Sequence, residues 1–384
     1  MTSPVAALTA LKQSLWYDNI ERRLLNNGAL AAMIANGEIR GITSNPSIFH
    51  HAIADDKGYR AYAQALKSMS WAGYNRQDIF DRLSIEDIRA AADLFGDLYE
   101  TTHGGDGYVS LEVSPTLAHD SRGTLSEAVR LWQAVDRPNL MVKIPATRQG
   151  IPAIRQAIAA GINVNVTLIF SLSRYTEVME AYISGLEDRL HQGLPVDTIA
   201  SVASFFVSRI DSKVDGRLEA LIQQEGPQAD PAGKLLGKLA IASARMAYQA
   251  FHQVFEGQRF KPLEAKGANL QRPLWASTST KNPAYPDTMY VDQLIGPQTI
   301  NTVPPHTLEA FEDHGRAVLT IEQDIPEARR AFASLAEIGI SIDQITQELE
   351  TEGVNSFAKA YAALLQTIES RRLEANFPNN FLII

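Results

Sequence analysis

The sequence predicts an α/β fold: a single (β/α)8 TIM barrel with additional helices inserted and a helical C-terminal extension. Three observations lead there. Short runs of β-forming residues alternate with helical patterns along 384 residues, and strands separated by helices build parallel sheets. No Pro/Ser-rich linker, charge block or internal repeat divides the chain, and barrels of this kind run to about 250 residues as one domain and accept long additions. Polar residues also recur inside the apolar runs, as they do where several strands point functional groups into one interior.

Taken in order, strands are expected near Leu15 to Asp18, Ile39 to Ser44, Tyr108 to Val113, Leu140 to Ile144 and Asn163 to Phe170. Three more are expected near Ile199 to Val207, Pro273 to Ser277 and Thr299 to Val303. The helices between them show one apolar face each. Tyr175, Val178, Met179, Tyr182 and Leu186 recur at helical spacing, as do Ile210, Val214, Leu218 and Leu221. Asp120 precedes a helical stretch through Leu125, Val129 and Trp132, where Thr124 to Glu127 has the spacing of a capping box. Three regions exceed a minimal barrel: about 50–105, about 222–270 and about 318–384. Their helical patterns, such as Ile85, Ile88, Ala92 and Phe95, read as added helices on one domain.

Composition sets limits on function. Hydrophobic residues make up 45% and charged residues 21%, the balance of a globular enzyme. A net charge of -9 argues against general nucleic-acid binding. With no cysteine there is no thiolate nucleophile or zinc-thiolate site, and the eight histidines lack metal-binding spacing, so no metal is expected. No window reaches the ~18 apolar residues of a membrane span. The stretch from Pro4 to Leu11 has no basic residue before Lys12, which makes the expected location cytoplasmic. Asn165-Val166-Thr167 matches a glycosylation sequon and is discounted without a secretion signal. Gly104-Gly105-Asp106-Gly107 precedes a strand and reads as a turn, and His50-His51, just beyond the second strand, reads as a solvated loop pair, with an approach to the pocket mouth as the alternative.

The chemistry centres on Lys143, inside Leu140-Met141-Val142-Lys143-Ile144-Pro145-Ala146-Thr147. A run of β-formers closed by proline reads as a buried parallel strand, where burial disfavours a charged ammonium. A neutral amine attacks carbonyls, and Schiff-base lysines are activated in this way. The other reading is a lysine snorkelling from a strand end to solvent. Asp18, Asn45, Glu112, Asn165 and Thr167 fall at or within neighbouring strands, so six polar groups converge on one interior. A lone buried polar residue is usually a satisfied core hydrogen bond; a convergent set from five strands points to a site.

At these residues the chain resembles the transaldolases, Schiff-base-forming enzymes on an α/β barrel. The matching motifs are Gly41-Ile42-Thr43-Ser44-Asn45-Pro46-Ser47, Val109-Ser110-Leu111-Glu112-Val113, Met141-Val142-Lys143-Ile144-Pro145 and Asn163-Val164-Asn165-Val166-Thr167-Leu168. Ser204-Phe205-Phe206-Val207-Ser208-Arg209 and Pro273-Leu274-Trp275-Ala276-Ser277-Thr278 complete the set, in family order. The resemblance implies transfer of a dihydroxyacetone unit from a ketose phosphate to an aldose phosphate in the non-oxidative pentose phosphate pathway. Fructose 6-phosphate or sedoheptulose 7-phosphate would be the donor, and glyceraldehyde 3-phosphate or erythrose 4-phosphate the acceptor.

Lys143 would form the Schiff base with no cofactor, Asp18 would be the general acid/base, and Glu112 with Thr167 would position a water. Asn45 and Asn165 match residues that hold substrate hydroxyls, for which an amide offers donor and acceptor without charge; a turn or strand-end cap is the alternative. Arg209 matches a phosphate-binding arginine, with Ser204 and Ser277 nearby. Ser279 stands where many of these enzymes carry a second arginine, so Lys281 is either the second cation or a solvated loop lysine. A fructose 6-phosphate aldolase is the near rival, but that relative has glutamine at Glu112 and tyrosine at Phe206. A non-catalytic barrel serving as a scaffold is the other. A homo-oligomer is a further expectation, and the segment Phe377 to Ile384 would cover the barrel mouth or pack on a neighbouring subunit.

Overall fold

Eight parallel strands close into a barrel in sequence order in a computed structural model, which describes residues 3–376. They are β1 (Gln13–Tyr17), β2 (Gly41–Ile42), β3 (Tyr108–Glu112), β4 (Leu140–Pro145), β5 (Val164–Ile169), β6 (Ser201–Phe206), β7 (Gln271–Ala276) and β8 (Thr299–Val303). Each expected strand is present. β4, β5 and β6 are buried at every position, as strands covered on both faces by barrel interior and helices must be.

β2 is shorter than the six residues expected. Its backbone leaves the ladder at Ser44, whose hydroxyl donates to the Ser110 carbonyl (2.7 Å). Asn45 then caps the helix Pro46–Ala54, accepting from the amides of Ser47 (2.9 Å) and Ile48 (3.1 Å). Glycine at position 41 is a packing requirement, because a Cβ there would lie 2.6 Å from the Trp16 ring.

The helix after β3 runs Ser121–Val135 and is capped by Asp120, which accepts from the amides of Arg122 and Gly123. That corrects the capping box expected at Thr124: its hydroxyl instead donates to the Leu117 carbonyl (2.9 Å). His50 and His51 lie in the helix Pro46–Ala54, not in a loop, and the His50 ring pairs with the Thr367 hydroxyl (3.1 Å). Asn165 is fully buried in β5, where no glycan fits.

Between β2 and β3 run the helices Pro46–Ala54, Asp56–Trp71, Arg76–Leu94 and Gly96–Thr101. The last helix, Ile342–Asn376, packs on the first three of them. Val354, Phe357, Tyr361, Leu364 and Ile368 form its buried stripe. Phe80 meets Phe49 and Tyr361 edge-on, each at 5.6 Å, so chain from both ends of the sequence shares one apolar seam. Residues 377–384, including Phe377 to Ile384, lie outside the described residues. Among the described residues no helix is long and apolar enough to cross a membrane, and no group of three or more His, Asp or Glu could hold a metal ion.

The N-terminal end of the barrel is tied by Asp106 in the turn before β3, where Gly104 (φ 73°) and Gly107 (φ 84°) take left-handed conformations. Its carboxylate accepts from Ser14 (2.9 Å), Trp16 Nε1 (3.3 Å) and Arg40 Nε (2.6 Å), and pairs with Arg272 (3.4 Å). Asp106→Ala leaves two largely buried guanidinium groups short of a partner. It is expected to lower stability by about 3 to 5 kcal/mol in urea unfolding; a loss under about 1 kcal/mol would mean that other acceptors already carry those arginines.

Candidate active site

Strand register assembles the site. In the parallel ladder Glu112 of β3 lies beside Lys143 of β4, and Lys143 lies beside Asn165 of β5, forming one lateral row. Side chains at paired positions of neighbouring strands point to the same face. Lys143, only 4% exposed, points its Nζ at the Ser44 carbonyl (2.9 Å), with Glu112 Oε2 at 3.5 Å. It therefore does not snorkel to solvent. Burial dominates at Glu112 and pushes its carboxyl up to about 7 against the opposing charge of Lys143. Glu112 Oε2 and, two residues along β5 from Asn165, Thr167 Oγ1 are buried without a protein hydrogen-bond partner.

Asp18 follows β1 and is held there by its amide, which donates to the Val303 carbonyl (2.8 Å). Its Oδ1 accepts from the Thr43 hydroxyl (2.6 Å), and Thr43 in turn meets the Thr302 hydroxyl (2.6 Å). Burial raises the Asp18 carboxyl above its ordinary range, while the charge of Lys143, the Thr43 hydrogen bond and the charge of Lys281 pull it back.

Asp18 and Lys143 open onto a cavity of about 370 Å³ at the C-terminal mouth of the barrel, which Asn45, Thr167, Ser204 and Phe206 also line and Glu112 does not. The size suits a small polar metabolite. Arg209, Ser277 and Lys281 line it as well. Arg209 sits in the first turn of the helix Ser208–Gln223, with its guanidinium 5.7 Å from the Phe206 ring. Ser277, in a left-handed conformation (φ 55°) just past β7, meets the Ser208 hydroxyl at 3.0 Å. Lys281 reaches in from the rim, and its Nζ donates to Ser279 Oγ (2.6 Å). Desolvation first and the charge of Arg209 second pull the Lys281 ammonium below its usual range, with Asp18 opposing.

Of the eleven residues singled out in the sequence, nine line this cavity, and Glu112 and Asn165 do not. Asn165 gives Nδ2 to Ser110 Oγ (3.0 Å) and takes Ser204 Oγ on Oδ1 (2.7 Å). It reaches the cavity through Ser204. Asn45 uses Oδ1 as a helix cap and also lines the cavity. Sequence reasoning missed Thr43, Thr302, Ser110, His306 and Phe357, and it favoured a solvated loop for His51, which lines the cavity instead. Thr43 and Ser110 lay inside motifs already noticed, and Thr302 is a polar residue in a strand run. His306 and Phe357 line the cavity from helices and carry no local signal, whereas His51 lies just beyond the second-strand motif.

Comparison with known proteins agrees with this geometry. The family described as Transaldolase/Fructose-6-phosphate aldolase matches residues 15–368. A transaldolase of Frankia alni is 46% identical over 369 residues, covering 96% of this chain and 97% of its own. A transaldolase of Trichodesmium erythraeum is 45% identical over 376 residues, covering 97% and 98%. One from Saccharopolyspora erythraea is 46% identical over 370 residues, covering 96% and 98%. With its closed parallel barrel and a match over nearly its whole length, the chain belongs to the transaldolase/fructose-6-phosphate aldolase family.

Proposed function

We infer that the chain is a transaldolase, an enzyme that moves a dihydroxyacetone unit between sugar phosphates through a Schiff base on Lys143. One observation carries this reading: a buried amine, held between Ser44 O (2.9 Å) and Glu112 (3.5 Å), opens onto a polar cavity. Lys143 Nζ attacks the ketose C2, and loss of water gives an iminium that serves as electron sink. Asp18 takes the C4 hydroxyl proton as the C3–C4 bond breaks, leaving an enamine on Lys143 and releasing the aldose phosphate. The acceptor aldehyde then enters, and the same steps run backwards.

Glu112 and Thr167 hold the water that moves protons during carbinolamine formation, and their buried oxygens, which accept no protein hydrogen bond, support that role. Asn45 and Ser204 orient hydroxyls, with Asn165 behind Ser204. Retention of Glu112 and Phe206 favours transfer over aldolase chemistry.

Arg209 and Lys281 bind the phosphate. Neither forms an ion pair among the described residues, and their mutual repulsion is relieved by a dianion between them. A hydrogen bond to a charged group contributes about 1.5 to 3 kcal/mol, so Lys281→Ala is expected to raise KM for fructose 6-phosphate by roughly 10- to 100-fold. kcat should change little. An unchanged KM in steady-state kinetics removes Lys281 from the phosphate site.

The reading extends to a single-domain, cytoplasmic homo-oligomer, in keeping with substrates drawn from central sugar metabolism. Light scattering on the purified chain tests the oligomer. The activity itself is tested by following glyceraldehyde 3-phosphate release from fructose 6-phosphate with and without erythrose 4-phosphate. Sustained release only with acceptor supports transaldolase; sustained release without it supports aldolase.

A further inference from the structure

The roles above leave out an aromatic side chain that reaches Lys143 from outside the barrel. Phe357, on the helix Ile342–Asn376, is 5% exposed, lines the cavity and sets its ring centroid 6.0 Å from Lys143 Nζ. The helix is tied down beside it. Glu348 pairs with Lys213 (3.0 Å) and Arg217 (2.7 Å), Glu352 pairs with Lys213, Glu350 pairs with Arg174 (3.3 Å), and Tyr361 donates to Gln77 (2.8 Å).

Gly353, one turn before Phe357, allows the close approach. A Cβ there would already lie 3.0 Å from Leu168 and 3.4 Å from Phe170. Leu168 follows Thr167 and holds a left-handed backbone (φ 60°) at the register break of β5, a conformation costly for a bulky residue. Phe170 packs on Phe206 at 5.2 Å. The cavity is polar at its floor and phosphate wall, while this side over the amine is apolar.

We propose that Phe357 is a water-excluding cover over the Lys143 adduct, and that it sets how often the three-carbon unit is transferred rather than hydrolysed. The proposal rests on the Schiff-base reading above. After cleavage the unit waits on Lys143 as an enamine. Its loss consumes one water: one hydrogen goes to C3, the oxygen becomes the C2 carbonyl, the C2–Nζ bond breaks and the other hydrogen goes to Nζ. The products are dihydroxyacetone and the free amine. The water held by Glu112 and Thr167 serves the productive steps, and an apolar ring at the mouth restricts further water without offering a proton.

The test uses the purified full chain with Phe357→Ala and Phe357→Leu. Fructose 6-phosphate is supplied with and without erythrose 4-phosphate, and free dihydroxyacetone and sedoheptulose 7-phosphate are both quantified. The expected result is a ratio of hydrolysis to transfer raised by about tenfold or more in Phe357→Ala and by less in Phe357→Leu. A folded Phe357→Ala in which both rates fall together, with the ratio unchanged, makes Phe357 a packing residue and overturns the proposal. If the alanine variant does not fold, an unchanged ratio in Phe357→Leu overturns it instead. Wild-type protein that neither transfers nor releases the unit removes the Schiff-base reading, and the cover with it.

Discussion

Lys143→Ala is expected to lower turnover by on the order of 10⁴-fold or more, to the floor of the assay, because it removes the nucleophile itself. Among the described residues the only other lysine lining the cavity, Lys281, enters from the rim beside Arg209 and cannot replace an amine on β4. Borohydride added with fructose 6-phosphate should inactivate the wild type and attach the reduced substrate fragment to Lys143. The variant should stay unlabelled. Labelling elsewhere with retained turnover would remove the assignment.

The fold is expected to survive, with a pH dependence that follows from Glu112. Its carboxyl keeps its proton to about pH 7 in the folded chain, against an ordinary value of 4.5. Between those values the folded state binds the proton and the unfolded state does not, so stability falls as pH rises through that window. Without the Lys143 charge the folded value climbs further and the fall continues above pH 7. Lys143→Met, which keeps most of the stem volume, isolates this effect. Its urea midpoint should lie close to wild type at pH 6 and further below it at pH 8.

The barrel and most of the site were legible because a parallel barrel leaves few alternatives. A polar residue within a run buried on both faces must be paired or functional, and Glu112, Lys143 and Asn165 each break such a run. Ladder register then places them in one row. What failed was information carried by distant chain. Phe357 reads as one more member of an apolar helical stripe, and nothing local says that this helix crosses to β5. β2 is shorter than its β-forming residues predict because these continue past Ile42, while the hydroxyl of Ser44 and the cap at Asn45 turn the backbone away. Asn45 is both a helix cap and a cavity-lining residue, so the cap does not remove it from the candidate site. Asn165 is the reverse case: its amide is held by Ser110 and Ser204, and of these residues it is Ser204 that lines the cavity.

Asp18→Asn is expected to lower kcat by about 10²- to 10⁴-fold, the range for loss of a general acid/base. The substitution is nearly isosteric, and the amide oxygen still accepts from Thr43, so position is kept and only proton transfer is lost. Schiff-base formation does not use Asp18, which places the block at C3–C4 cleavage. Borohydride trapping of the variant with fructose 6-phosphate should therefore yield an adduct carrying the whole ketose phosphate, whereas the wild type yields the three-carbon fragment as well. The pH profile gives an independent readout. Burial holds the Asp18 carboxyl above its ordinary range, so the acidic limb of kcat/KM in the wild type should lie above the usual carboxylate value. In Asp18→Asn that limb should disappear from the residual rate. If the variant keeps more than about a tenth of wild-type turnover, or if its trapped adduct is already the three-carbon fragment, the proton at C4 leaves by another route and Asp18 serves only to balance the charge of Lys143.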